Sequence, residues 1–158
     1  MTYPRNTGPV PPKPFTIWVV VADAARARIL EAHHHDGELR EIGDRLNAEA
    51  RLQPHEAQAD RAGQVMQGSH GGAHAFEPRQ SYEEHVATAF ARQLGRELCE
   101  ARQKGVVQRL YLLADPAFLG HLRAELDAPT QALVVEERAT DLVRQPLQDI
   151  RKSLPERL

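Results

Sequence analysis

Cysteine is almost missing from this sequence. Cys99 stands alone among 158 residues, so an intrachain disulfide is excluded, and with no motif around it a structural thiol on a helix is expected in a reducing compartment. Long apolar runs are missing too. The longest, Ile17 to Ala22, is far too short to cross a bilayer, and Met1 to Pro14 lacks the apolar core of a signal peptide. No membrane insertion is expected, and the chain reads as unexported and cytoplasmic. Neither sign of charge dominates: the net charge is −2, the sequence pI is near 6.4, and no global field draws the chain to DNA or to an acidic membrane. RNA contact would need a local basic patch. The length fits one domain that buries roughly 70% of the surface of its unfolded chain, so no metal or disulfide staple is needed.

Residues 1–14, with Pro4, Pro9, Pro11, Pro12 and Pro14, favour extended polyproline-like conformations and read as a tail outside a single domain over 15–158. Ile17 to Ala22 is apolar on both alternating faces and β-branched, the pattern of a central strand covered on both sides. Arg28 to Ala32 and Glu38 to Ile42 are weaker strand segments, joined across His33-His34-His35-Asp36-Gly37, where Asp-Gly supplies turn chemistry. The three predict an antiparallel meander. Neighbouring histidines on a hairpin rarely converge on one ion, so a metal site is not expected there.

Further along, Ser81 and Glu84 form a capping-box pattern that predicts a helix start. Val86, Phe90, Leu94, Leu98 and Ala101 make its apolar stripe, and Gly105 supplies the stop. Arg109 to Ala114 reads as a strand. Asp115 then caps, and Pro116 opens, a helix carrying Phe118, Leu119, Leu122 and Leu126. Leu133-Val134-Val135 is a further strand, predicting a βαβ crossover with parallel strands. After Pro146, the residues Leu147, Ile150 and Leu154 mark a short closing helix. The fold class predicted is α/β: a mixed sheet, meander plus βαβ, with helices packed on it.

Between these periodic segments, from about residue 47 to 80, no hydrophobic period is sustained. Insertions of this kind, longer than ~15 residues, are usually functional or disordered. The stretch holds Gly63, Gly68, Gly71 and Gly72, which allow close approach to the main chain, together with His70, His74 and Glu77. The glycine pair at 71 and 72 argues against a helix presenting both histidine rings to one ion, and solvated loop histidines are the plainer reading. The stretch feeds a helix N-terminus, where an anion is favoured unless Ser81 already occupies the free amides. It is not a P-loop, since no Gly-Lys-Ser/Thr follows the glycines. No cofactor is implied.

Several strings together resemble a known family. They are Trp18-Val19-Val20-Val21-Ala22-Asp23 leading to Ala25-Arg26-Ala27-Arg28, the Asp60-Arg61 pair, the glycine-histidine stretch, Leu112-Leu113-Ala114-Asp115-Pro116-Ala117-Phe118-Leu119-Gly120, and Asp141-Leu142. Over roughly residues 15–155 they resemble the bacterial family named for attachment to host cells, itself similar to the middle domain of archaeal and eukaryotic peptide-chain release factors. The resemblance implies a release-factor middle-domain-like, ribonuclease-H-like architecture and a loop presented to ribosome or tRNA. In release factors that loop carries Gly-Gly-Gln, which positions water to cleave the peptidyl-tRNA ester. Here Gly71-Gly72 is followed by Ala73. Gln64 and Gln67 precede the pair, so a non-catalytic role is the expectation.

Three functions from different classes follow. In the leading one, the Gly68 to His74 loop meets ribosome or tRNA, with Arg61, Arg79, Arg92 and Arg96 available to phosphate because guanidinium forks match its oxygens. Each arginine singly also fits a solvated charged face. Were ester hydrolysis retained, His70 or His74 would be the general base. The second is an adhesion or protein-interaction module without catalysis. The third is a small nuclease using Asp23 and Asp115, both at strand ends, with magnesium; strand-end aspartates more commonly cap or turn.

Overall fold

A computed structural model describes residues 15–33, 38–51 and 77–158. The strands are β1 (Thr16–Ala22), β2 (Arg26–His33), β3 (Arg40–Leu46), β4 (Arg109–Ala114) and β5 (Val134–Ala139). The helices are α1 (Glu77–Gln103), α2 (Pro116–Ala124), α3 (Ala128–Gln131) and α4 (Leu147–Ser153), with a 3-10 turn at Ala48–Arg51. They form an α/β fold on one five-stranded mixed sheet of order β3-β2-β1-β4-β5. The expected meander is present, since β1 pairs β2 and β2 pairs β3, both antiparallel. The expected parallel pair is also present: β4 runs parallel to β5, and likewise to β1.

Central strand β1 is apolar on both sides because both are covered. Trp18, Val20 and Ala22 join Ile29, Leu110 and Leu112 beneath α1 and α2, whose Phe90, Leu94, Leu98, Phe118 and Leu122 complete that layer. Ile17, Val19 and Val21 join Leu30, Tyr111 and Leu113 beneath the C-terminal segment, which supplies Val143, Ile150, Leu154 and Leu158. The stripe read from the sequence of α1, Val86 to Ala101, is buried throughout. The Phe90 and Phe118 rings meet at 5.8 Å between centroids, tying α1 to α2.

Gly105 ends α1 as expected. Its φ of 69° is in the left-handed region, and the Val106 amide reaches back to the Ala101 carbonyl at 2.9 Å. Asp115 caps α2, accepting the Phe118 amide at 3.2 Å, with Pro116 at the first helical position.

Several boundaries differ from the sequence reading. Strand β2 runs over Arg26–His33 rather than Arg28–Ala32, taking in His33 from the expected turn. The capping box is not formed: α1 begins at Glu77, leaving Ser81 exposed inside the helix. Pro78 is tolerated in a first turn, where amides have no intrahelical acceptor, so the helix extends upstream of Ser81. Strand β3 runs over Arg40–Leu46 rather than Glu38–Ile42, because pairing with β2 sets its register and places Leu46 opposite Arg26. Strand β5 continues through Ala139 rather than stopping at Val135, its charged residues being tolerated on a sheet edge.

Candidate functional site

Strands β1 and β4 are adjacent and parallel, and their last residues, Ala22 and Ala114, face each other. From there the chain leaves β1 towards β2 on one side and β4 towards β5 on the other. Such a divergence at the carboxyl ends of parallel strands is a recurrent ligand position in α/β sheets. Asp23 and Asp115 both sit at this edge. The structure gives each a turn or cap: Asp23 Oδ1 accepts the amides of Ala25 and Arg26, each at 2.8 Å, while Asp115 caps α2. The carboxylate of Asp23 therefore closes the β1–β2 hairpin, a turn with neither glycine nor asparagine. Among the described residues no group of three or more His, Cys, Asp or Glu side chains is arranged to hold a metal ion.

Beside Asp23 lies a cavity of about 320 Å³, lined by Asp23, Ala25, Arg26, Ala50, Val143 and Arg144. Arg26 is held in a two-point ion pair, its Nε and Nη2 donating to the Asp44 carboxylate at 2.8 and 2.7 Å. This bond holds the Asp44 carboxyl below its ordinary range and raises the guanidinium pKa. Arg144 is exposed and makes no ion pair with the described residues.

The segment that carries Val143 and Arg144 is held by Arg28, only 6% exposed. Its guanidinium donates to Glu41 at 2.7 Å and to the carbonyls of Val143 and Gln145 at 3.0 and 2.6 Å. A buried cation is tolerated only with such partners. The two carbonyls belong to the residues flanking Arg144, so the clamp fixes the backbone that carries it.

Of the loop residues singled out in the sequence, Arg61, Gly68, His70, Gly71, Gly72 and His74 lie outside the described residues, as do His34 to Gly37 of the histidine turn. The residues on either side of that stretch are described. The 3-10 turn leads to Arg51, and Ala50 within it lines the cavity. The Asn47 side chain binds the Ala24 carbonyl at 2.9 Å and the Val86 carbonyl at 3.4 Å, joining the hairpin turn to α1. Arg79 falls in the first turn of α1. Arg92 and Arg96 share an exposed face of α1, one helical turn apart. Arg92 faces Glu125 at 3.6 Å, whereas Arg96 has no ion pair among the described residues.

Sequence reasoning found Asp23 but not Arg144 or the anchoring role of Arg28. A usable signal existed: the strings around Asp23, Ala25 to Arg28, Asp115 and Asp141-Leu142 all carry the family resemblance, and all converge on this edge of the sheet.

Comparison with solved structures gives distant likenesses. An archaeal protein shares 11% identity at a TM-score of 0.47, over 87% of this chain and 32% of that one. An archaeal translation termination factor shares 10% at 0.42, over 89% and 35%. A Ppx/GppA family member from Aquifex aeolicus shares 15% at 0.37, over 78% and 34%. The chain thus corresponds to about a third of the length of each. No curated protein matches it. No helix among the described residues is long and apolar enough to cross a membrane. The family model described as "Protein required for attachment to host cells" matches residues 18–154, and the chain belongs to that family.

Proposed function

We propose that this chain is a translation-associated RNA-binding protein that presents Gly68 to His74 to ribosome or tRNA without cleaving the peptidyl-tRNA ester. One observation carries the reading. The segment bearing those residues leaves and rejoins a fixed frame, with Asn47 binding both the β1–β2 turn and α1 close to where the chain departs. A segment anchored to rigid elements at both ends can be aimed at a partner. Arg92 and Arg96, exposed on α1, are available as cations for phosphate. The sequence likeness to release-factor middle domains supports the same partner class, and Ala73 after Gly71-Gly72 favours binding over hydrolysis.

Sedimentation with 70S ribosomes across a salt series tests this. Saturable binding is expected at low salt, weakened by Arg92→Glu/Arg96→Glu and lost on Gly71→Pro/Gly72→Pro. Each phosphate contact removed should lower the salt slope by about 0.7 for single-stranded RNA. No binding at low salt would end the proposal.

The family description favours a second reading, a protein-interaction module acting in host-cell attachment. Exposed apolar residues on the edge strands, Ile42 and Leu46 on β3 and Val135 on β5, fit such contacts. Protease treatment of intact cells separates the two: cleavage before lysis supports the module, and protection until lysis supports the internal role.

A further inference from the structure

The cavity beside Asp23 has a polar inventory that the fold leaves unused. Arg26 commits Nε and Nη2 to Asp44, leaving Nη1 without a hydrogen bond among the described residues. Asp23 commits Oδ1 to two amides, leaving Oδ2 equally free. Arg144 commits nothing to the described residues, and its guanidinium carries five N–H donors. Two donor groups and one acceptor therefore line a space of about 320 Å³ whose remaining walls are the small or apolar Ala25, Ala50 and Val143.

The occupant must satisfy both kinds of group. Bare phosphate would engage the Arg144 fork and Arg26 Nη1 but would meet Asp23 as a like charge. A neutral sugar would donate to Asp23 and leave the guanidinium groups without an anion. A sugar phosphate does both, anion at one end and hydroxyl donor at the other. The volume lies at the lower end of small-ligand pockets, roughly 300 Å³ and upwards, which suits one such unit. The lining offers no aromatic ring on which a base could stack.

Preorganisation adds to the argument. Arg28 holds the carbonyls on both sides of Arg144, Asp44 holds Arg26, and the two amides hold Asp23. Asp23, Arg26 and the backbone that carries Arg144 are placed before a ligand arrives, which lowers the ordering cost of binding.

We propose that this cavity binds a ribose-phosphate unit, with the phosphate on Arg144 and Arg26 and a ribose hydroxyl donating to Asp23 Oδ2. The chemistry is common to a free ribonucleotide and to a nucleotide within RNA. It goes beyond ribosome association, because a mononucleotide reads the cavity whether or not a ribosome is ever bound.

The test follows amide shifts of the ¹⁵N-labelled full chain during titration with AMP, UMP, inorganic phosphate and adenosine. Saturable shifts are expected at residues 23–26 and 143–145. AMP and UMP should bind alike, and at least about tenfold more tightly than phosphate or adenosine, the equivalent of about 1.4 kcal/mol. Arg144→Ala should lose tenfold or more for AMP, its exposed side chain making folding insensitive to the change. Asp23→Asn keeps the Oδ1 acceptor for the turn but replaces the second oxygen with a donor; it should bring AMP affinity down to that of phosphate. A uridine oligonucleotide producing the same shifts more tightly would identify RNA as the source of the unit. Shifts with mononucleotides alone would identify a free nucleotide. Equal binding of phosphate and AMP, undiminished AMP binding by Arg144→Ala, or shifts confined to other residues would overturn the proposal.

Discussion

The two faces of the sheet are covered by different means. On one, α1 and α2 lay continuous apolar stripes over Trp18, Val20, Leu110 and Leu112, and contact between hydrocarbon surfaces does most of the fastening. On the other, a short C-terminal strap contributes a few apolar residues and is tied down through arginines. Arg28 holds the carbonyls of Val143 and Gln145, Arg138 holds the Ser153 carbonyl, and Arg151 holds those of Pro155 and Glu156. A helix satisfies its own backbone and needs only an apolar stripe. A strap satisfies little of its backbone, so buried carbonyls along it need donors from elsewhere. The candidate cavity lies on the strap side, where polar groups are already being organised.

The largest effects should come from the helical face. Leu98→Ala, at a fully buried position, should cost about 3–5 kcal/mol in urea unfolding, whereas Leu154→Ala on the strap should cost about 2 kcal/mol. Equal losses would erase the distinction. Next in size is Glu41→Leu, which leaves Arg28 buried without its countercharge. A loss of about 3 kcal/mol is expected, the low end for a broken buried pair because the two carbonyl bonds remain. Hydrogen exchange should accelerate at 143–145 before it does in α1.

Glycines give a finer contrast. A Cβ at Gly95 would lie 3.0 Å from both the Cβ and the backbone oxygen of Glu125, where α1 approaches the end of α2. Gly95→Ala should therefore lose about 1 kcal/mol net, an overpacking cost of roughly 1–3 kcal/mol offset by roughly 1 kcal/mol of helix propensity. At Gly120, inside α2, an added Cβ meets nothing within 4 Å. Gly120→Ala should gain about 0.5–1 kcal/mol. Thermal melts of the pair should move in opposite directions.

The smallest expected effect is a pH dependence. The hydrogen bond from Arg26 depresses the Asp44 carboxyl in the folded state. Its stabilisation is present above the unfolded carboxylate pKa and is lost as pH falls through the lower folded value. Asp44→Asn should flatten the acid limb of a stability-against-pH curve. An unchanged limb would show that this exposed pair is screened to insignificance.

The same contrast accounts for what could be read from the sequence. The stripe of α1, the doubly apolar β1 and the Asp115-Pro116 helix start were legible because each is a local pattern repeated along one element. The helix start at Glu77 was not, since Ser81 and Glu84 offered a competing local pattern and Pro78 did not prevent the earlier turns. Strand β3 was misplaced because an edge strand reading Arg-Glu-Ile-Gly-Asp-Arg-Leu has little apolar alternation, and its register comes from pairing with β2. The cavity was the least legible feature. Asp23 and Arg26 are close in sequence, but Arg144 reaches them only through the clamp that Arg28 makes across the sheet, and one arginine in a strand carries no mark of such a role.

The position of β1 also has a kinetic consequence. Along one side its partner is near at hand, Ala22 facing Ala27 across a tight turn, while along the other side Ile17 must wait for Arg109. Pairings between residues distant in the chain form slowly. Until β4 arrives, the run Ile17-Trp18-Val19-Val20-Val21-Ala22 offers an unpaired, uncharged β edge, the kind of segment that recruits other chains. Yield of soluble protein during synthesis should accordingly depend less on the stability of the finished sheet than on how soon α1 delivers β4 to that edge.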